Sequence, residues 1–171
     1  MVRDKHARVV PWAAESVTAI DPVTVEVKLR ADLKFHDGRP VTADDLKFTF
    51  DLIADKKFPA MARISDSVEG VEVISPSTGR IKLKRPAASF VPNVLGYAFI
   101  VPKHIWTNLS GNLADYPNDK PVGYGPFKLR EWRKGEYSTL DANKEFFMPP
   151  HIDTAIWMVV PNLENQLAMM E

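Results

Sequence analysis

The sequence predicts an α+β fold, an antiparallel or mixed sheet lobe with helices packed on it, and three observations predict it. A strand–turn–strand pattern occurs twice: Val17-Thr-Ala-Ile-Asp-Pro-Val-Thr-Val-Glu-Val-Lys-Leu29 aligns without a gap on Val71-Glu-Val-Ile-Ser-Pro-Ser-Thr-Gly-Arg-Ile-Lys-Leu83. Between the copies, a capped apolar stretch from Thr42 reads as a helix. A third strand–turn–strand pattern and a last apolar strand follow from Phe127, as part of a second sheet. Two copies are too few for a solenoid, so the repeats are expected as two hairpins of one antiparallel sheet, each covering an edge of the other.

In the first copy Val23, Val25, Val27 and Leu29 alternate with Thr24, Glu26, Lys28 and Arg30, the pattern of a half-buried strand. Ile81 and Leu83 alternate with Arg80, Lys82 and Lys84 in the second. Pro22 and Pro76 preset the backbone angle that each turn requires. Asp37-Gly38 marks a further turn. From Leu46 to Leu52 the apolar residues fit a strand as well as a helix; Thr42 as a cap, Asp44 and Asp45 in the first turn, and the set Leu46, Phe50, Ile53, Ala54 favour the helix. Further on, Pro86 to Leu95 reads as a short helix, Ala98 to Val101 as a short buried strand, and Lys103 to Leu109 as a helix started by Pro102. Gly111 to Pro121 is a polar loop and a candidate boundary, which divides the chain at 1–118 and 119–171. Phe127 to Trp132 and Tyr137 to Asp141 form the third hairpin around Arg133-Lys-Gly-Glu136. Ile152 to Val160 is almost continuously apolar, which predicts a strand buried on both faces. After Pro161, Leu163, Leu167 and Met170 fall on one helical face up to the last residue, the mark of a helix that continues in a longer protein.

Composition narrows the function. Lys+Arg and Asp+Glu both count 22, for a formal net charge of zero, without the basic excess of a general nucleic-acid binder. The absence of cysteine excludes disulfides, zinc–thiolate sites and thiol nucleophiles. His6, His36, His104 and His151 lack metal-ligand spacing, so neither metal nor cofactor is expected. His36, beside Asp37, reads as a hydrogen-bonded turn residue, with a catalytic dyad of the two as the alternative. Asp44 and Asp45, adjacent on a helix, point about 100° apart and cannot share an acid–base task. Gly123-Tyr-Gly125-Pro lacks the lysine and spacing of a phosphate loop. What remains is aromatic material beside glycine. Tyr97, Phe99 and Tyr124 flank Gly96, Gly123 and Gly125, where backbone can approach a ligand closely; places in the core are the alternative for each.

Several motifs, in order, resemble one family. Leu33-Lys-Phe-His-Asp-Gly-Arg-Pro-Val-Thr-Ala-Asp-Asp-Leu-Lys-Phe-Thr-Phe50 resembles the hallmark of the family 5 extracellular solute-binding proteins, the peptide- and nickel-binding components of ABC importers. Phe99-Ile-Val-Pro-Lys-His-Ile-Trp106, Val122-Gly-Tyr-Gly-Pro-Phe-Lys-Leu-Arg-Glu-Trp132, Asn143-Lys-Glu-Phe-Phe147 and Ile152 to Pro161 are similar to its following segments. The resemblance covers about residues 16 to 171 and departs at Tyr124, where the family usually has Thr.

The resemblance implies an internal piece of a class II periplasmic-binding-protein-like fold: a small accessory lobe over 1–118, and over 119–171 the start of the return into the large ligand-binding lobe. It implies a non-enzymatic receptor outside the cytoplasm, free or lipid-anchored. The receptor would close on a small solute, foremost a peptide, and deliver it to membrane permease subunits. A nickel chelate, an opine or an oligosaccharide is the alternative cargo, and a glycoside hydrolase with paired carboxylates the alternative class. Phe58-Pro-Ala-Met-Ala-Arg63 and the stretch around Tyr97 resemble cleft-facing parts, so Met61, Tyr97, Phe99 and Tyr124 are the expected ligand contacts.

Overall fold

In the computed structural model, which describes residues 2–3, 6, 8–55, 66–96, 98–109 and 113–162, the sequence repeat is a structural repeat. A two-stranded pair, β1 (Val2–Arg3) with β2 (Val9–Val10), precedes it. The first copy forms the hairpin β3 (Ala14–Asp21) and β4 (Thr24–Leu29), and the second forms β5 (Val68–Ser75) and β6 (Thr78–Leu83). They join in one antiparallel sheet of order β3-β4-β6-β5, as expected.

The two copies pair their strands in the same register at a spacing of 54 positions. Val17 opposite Val27 becomes Val71 opposite Ile81, and the irregularity between Ala19 and Asp21 recurs between Val73 and Ser75. In the central β4–β6 ladder Glu26 faces Arg80, its own equivalent, so a local two-fold axis passes through that pair. The Leu29 N–H donates to the Ser77 carbonyl at 2.7 Å, and its image, Leu83 N–H, donates to Val23 at 2.8 Å.

The symmetric sheet has one wet face and one dry face. Val25, Val27, Leu29, Ile81 and Leu83 are buried, and α1 (Ala43–Ala54) lies over them with Leu46, Phe50 and Ile53 inward. Each large side chain so buried stabilises the fold by roughly 1.5–3 kcal/mol. The helix begins where the capping residues place it: the Asp45 carboxylate accepts from the Thr42 N–H at 2.9 Å and from Thr42 Oγ1 at 2.8 Å. The strand alternative for Leu46 to Leu52 is thereby settled in favour of the helix.

Three expectations between residues 86 and 109 need correction. Pro86 to Leu95 is helical only at its end, a π-helical turn over Val91–Leu95 closed by the Gly96 N–H to the Val91 carbonyl at 3.2 Å. Pro92 within that turn has no N–H to extend a regular ladder. Ala98 to Val101 is no strand. The Ile100 N–H donates to the Tyr124 hydroxyl at 3.3 Å and the Val101 N–H to Thr49 Oγ1 at 2.9 Å, so side chains take the place of a neighbouring strand. The helix after Pro102 is a single turn, α2 (Lys103–Trp106), rather than reaching Leu109.

The second sheet contains the third hairpin, β7 (Phe127–Arg133) and β8 (Tyr137–Ala142), and β9 (Thr154–Met158), in order β7-β8-β9. Its connection to the first sheet is aromatic. Trp12 packs against Phe146 and Phe147, each at 5.4 Å between ring centroids, and the Arg30 guanidinium lies 4.1 Å from the centre of the Phe147 ring. The burial predicted for the last strand is not found: Ile156 is 61% exposed and Trp157 69%. Strand β9 is an edge, and its apolar side chains meet no covering element among the described residues. The helix expected after Pro161 lies outside the described residues.

Candidate functional site

The site grows from the turn at residues 35–39. The Phe35 N–H donates to the Arg39 carbonyl at 2.8 Å and the Gly38 N–H to the Phe35 carbonyl at 2.9 Å. Gly38 holds φ +88°, a conformation side-chain-bearing residues rarely adopt. This tight turn projects His36 toward the segment where the chain crosses from the first sheet to the second. The His36 N–H donates to the Gly123 carbonyl at 2.7 Å. The Gly123 N–H points at Nδ1 of the imidazole, 3.2 Å away, and the Gly125 N–H at Nε2, 3.1 Å away. The Gly125 carbonyl also lies 3.1 Å from Nε2. His36 is hydrogen-bonded, as its turn position suggests, but to backbone 87 and 89 residues away.

Gly123 is explained by the same contact. A Cβ there would stand 3.3 Å from Cε1 of His36, so the close approach served by this glycine is to the imidazole. Lys128 on β7 adds a bond from Nζ to the His36 carbonyl at 3.3 Å, and Asn143 donates to the Gly125 carbonyl at 3.2 Å. Held from both sides, the crossing places the Tyr124 ring edge-on to Phe35, with centroids 6.2 Å apart, and its hydroxyl on the Ile100 N–H.

Tyr124 and Ile100 separate two spaces. Behind them is an apolar cavity of about 50 Å³ among Trp12, Val17, Leu29 and Leu46. In front is a cleft of about 330 Å³ walled by Phe99, Pro102, Trp106, Pro121 and Val122, with Asn118 as its polar side chain. Asn118 holds φ +47°, in the left-handed region that asparagine tolerates. Trp106 is braced by Tyr116, edge-on at 5.7 Å. The cleft thus has the mostly apolar lining and the size of a small-ligand pocket.

The electrostatics of the site follow from burial and from pairing. Burial pushes the Tyr124 hydroxyl above its ordinary pKa, which keeps it neutral. Burial lowers the His36 pKa and the Lys128 ammonium adds to that, against the hydrogen bond to the Gly125 carbonyl and the Asp37 carboxylate, which raise it. At Asp37 burial acts upward, but hydrogen bonds from His104, 2.6 Å away, and from the Arg39 N–H outweigh it and hold the carboxyl low. Asp44 and Asp45 face different ways. Asp45 is buried, accepting from Thr42 and from the Lys103 N–H at 3.0 Å, whereas Asp44 is exposed, 3.7 Å from the Lys103 ammonium. Among the described residues no group of three or more His, Cys, Asp or Glu could hold a metal ion.

Of the four expected contact residues, Phe99 and Tyr124 line this one cleft. Met61 and Tyr97, like the segment Phe58 to Arg63, lie outside the described residues. Sequence reasoning missed Trp106, Pro102, Pro121 and Asn118 as cleft walls. Trp106 carried a signal, an aromatic residue one turn from Pro102, but the loop residues carried none. The structure also shows that Tyr124 turns inward, with its hydroxyl spent on backbone.

Comparison with known proteins gives the setting for this geometry. The family model for the middle portion of bacterial extracellular solute-binding proteins, family 5, matches residues 8–171. The oligopeptide-binding protein AppA of Bacillus subtilis is 33% identical over 166 residues, which cover 92% of this chain and 30% of AppA. Its structure in complex with a nonapeptide superposes with a TM-score of 0.90 at 32% identity, over 99% of this chain and 35% of that one. NikZ from Campylobacter jejuni, in complex with Ni(L-His), gives a TM-score of 0.86 at 29% identity, over 98% of this chain and 34% of that one. The glutathione-binding protein GsiB of Escherichia coli is 28% identical over 179 residues, covering 98% of this chain and 33% of GsiB. The chain therefore spans about a third of the length of these relatives. With the hairpin repeat, the capped helix and the aromatic crossing all falling inside the matched range, the chain belongs to the family 5 bacterial extracellular solute-binding proteins.

Proposed function

We propose that this chain is the middle portion of a solute-binding component of an ABC importer, working outside the cytoplasm and handing a peptide or similar small solute to membrane permease subunits. The observation that carries this reading is the match over residues 8–171, together with the superposition on a protein crystallised with a nonapeptide. Residues 1–118 form an accessory lobe and 119–171 begin the return into a ligand-binding lobe. Lobe closure captures the solute, because the closed state makes contacts that the open state lacks. Phe99 and Tyr124 contribute apolar surface to that capture from the cleft of about 330 Å³; Met61 and Tyr97 are further contacts on the resemblance of their segments to cleft-facing parts of the family. No bond in the solute is made or broken.

The exposed apolar strand β9 supports the same reading, since a strand of this composition is made to be covered. The rest of the larger lobe covers it. A second cargo class, a nickel chelate, is favoured by the likeness to NikZ. Thermal unfolding of the protein that carries this chain, against panels of peptides, nickel–histidine, opines and oligosaccharides, tests both. The cargo raises the midpoint, as RT ln(1+[L]/Kd) requires, and is recovered unchanged. No shift with any panel, or conversion of the added compound, contradicts the proposal.

A further inference from the structure

We propose that His36 is a proton-sensitive latch on the crossing segment Gly123–Gly125, holding the Tyr124 wall of the cleft in place when the imidazole is neutral and releasing it when the ring gains a proton. The inference goes beyond solute binding and does not depend on which solute is bound.

The argument starts from the count of donors. Two backbone N–H groups, of Gly123 and Gly125, point at the two ring nitrogens at 3.2 and 3.1 Å. The Gly125 carbonyl is 3.1 Å from Nε2. A neutral imidazole has one acceptor nitrogen and one N–H. With the proton on Nε2, Nδ1 accepts from Gly123 and Nε2–H donates to the Gly125 carbonyl, so of the two backbone N–H groups the neutral ring satisfies that of Gly123 alone. An imidazolium has no acceptor. Its Nδ1–H would face the Gly123 N–H, donor against donor, at the 3.2 Å now spanned by a hydrogen bond. Protonation therefore removes the one hydrogen bond that the ring accepts from the crossing.

The surrounding charges act in the same direction on balance. On the turn that carries His36, Asp37 favours the proton, but its carboxylate is already engaged by His104 of α2 at 2.6 Å and by the Arg39 N–H at 3.2 Å. From β7, Lys128 brings its ammonium to within 3.3 Å of the His36 carbonyl and opposes a second cation there; Glu145, after β8, sits 3.9 Å from that ammonium. The ring is also half-buried, which disfavours its charged form.

Release at the ring reaches the cleft through one residue. Tyr124 lies between the two glycines, and its hydroxyl accepts the Ile100 N–H. Ile100 and Tyr124 together separate the inner cavity from the outer cleft. Moving the crossing therefore loosens the Ile100 bond and opens the partition.

The sign is fixed. The folded-state pKa of His36 lies below its ordinary value, so the neutral ring's contribution is fully present above about pH 6.5 and is lost as the pH falls through the folded pKa.

Residue-resolved amide hydrogen exchange on the full chain, with each rate corrected for its intrinsic pH dependence, tests the latch. From pH 7.5 to 5, protection at the Gly123 and Ile100 N–H groups is expected to fall together by roughly tenfold, the worth of one net hydrogen bond. Protection at Val25 and Ile81 in the first sheet stays constant. His36→Gln, whose amide accepts and donates but does not titrate, makes the Gly123 and Ile100 profiles flat. The imidazole ¹⁵N shifts of the unmodified protein provide a readout should that variant fail to fold: they must titrate in step with the Gly123 amide. Constant Gly123 protection through the His36 titration overturns the latch. So does a parallel loss in the first sheet, which would mean global unfolding alone. Neither result bears on whether the protein captures a solute.

Discussion

A few side chains do work that the backbone cannot do for itself. Thr49 is the clearest. Only 1% exposed, it donates to the Asp45 carbonyl at 2.8 Å and accepts from the Val101 N–H at 2.9 Å, tying the segment 98–101 to α1. Thr49→Val keeps the shape but orphans a buried N–H, and is expected to destabilise the fold by about 1–3 kcal/mol. Urea denaturation measures this, and an unchanged midpoint would remove Thr49 from the account. Asp45 acts similarly, as a cap for α1 and an acceptor for the first N–H of α2. Thr42 as the cap and Asp45 in the first turn are legible as a local pattern, whereas the bonds from Thr42 to the Asp45 carboxylate come from the structure. The α2 contact is not legible, because its partner is 58 positions away. His36 shows the same limit: its sequence neighbours describe a turn, while its function in the fold is set by two glycines across the molecule.

At the scale of elements, the repeat predicts most of the first sheet because both copies carry their own strand alternation and their own turn. The aligned copies show where the two-fold is broken but not why. Copy two has Gly79 where copy one has Val25, and the reason is the helix: a Cβ at Gly79 would stand 3.1 Å from Cδ2 of Leu46. One copy lies so close under α1 that a Cβ there would press on the Leu46 side chain. Gly79→Val is therefore expected to cost about 1–3 kcal/mol through overpacking, while Val25→Ala costs a comparable amount through a cavity, not a clash. Calorimetric midpoints of the two variants check this; a stabilised Gly79→Val would show that the sheet and helix are not in register as described. The segment 98–101 was misread as a strand because its apolar residues are those of a strand. Its N–H groups are satisfied by Tyr124 and Thr49, and no periodicity reveals that.

At the scale of the whole molecule, two sheets are joined through an aromatic cluster and a clamped crossing, and the second sheet carries an apolar strand in the open. Ile156, Trp157, Met158 and Val159 are each more than half exposed. The apolar run is legible in the sequence and its burial follows from composition alone; among the described residues nothing covers it. The isolated 171-residue chain is accordingly expected to self-associate and to bind an apolar dye, and Trp157→Lys with Ile156→Thr to reduce both. Sedimentation velocity with dye fluorescence checks this, and a monomer with no dye binding would show that the strand needs no cover. The same scale holds the functional claim, capture without conversion. Its most direct test is equilibrium titration of the protein carrying this chain with defined oligopeptides, followed by mass spectrometry of the bound peptide after denaturation. The account predicts saturable binding and recovery of the intact peptide; cleaved peptide, or no binding across the set, would contradict it.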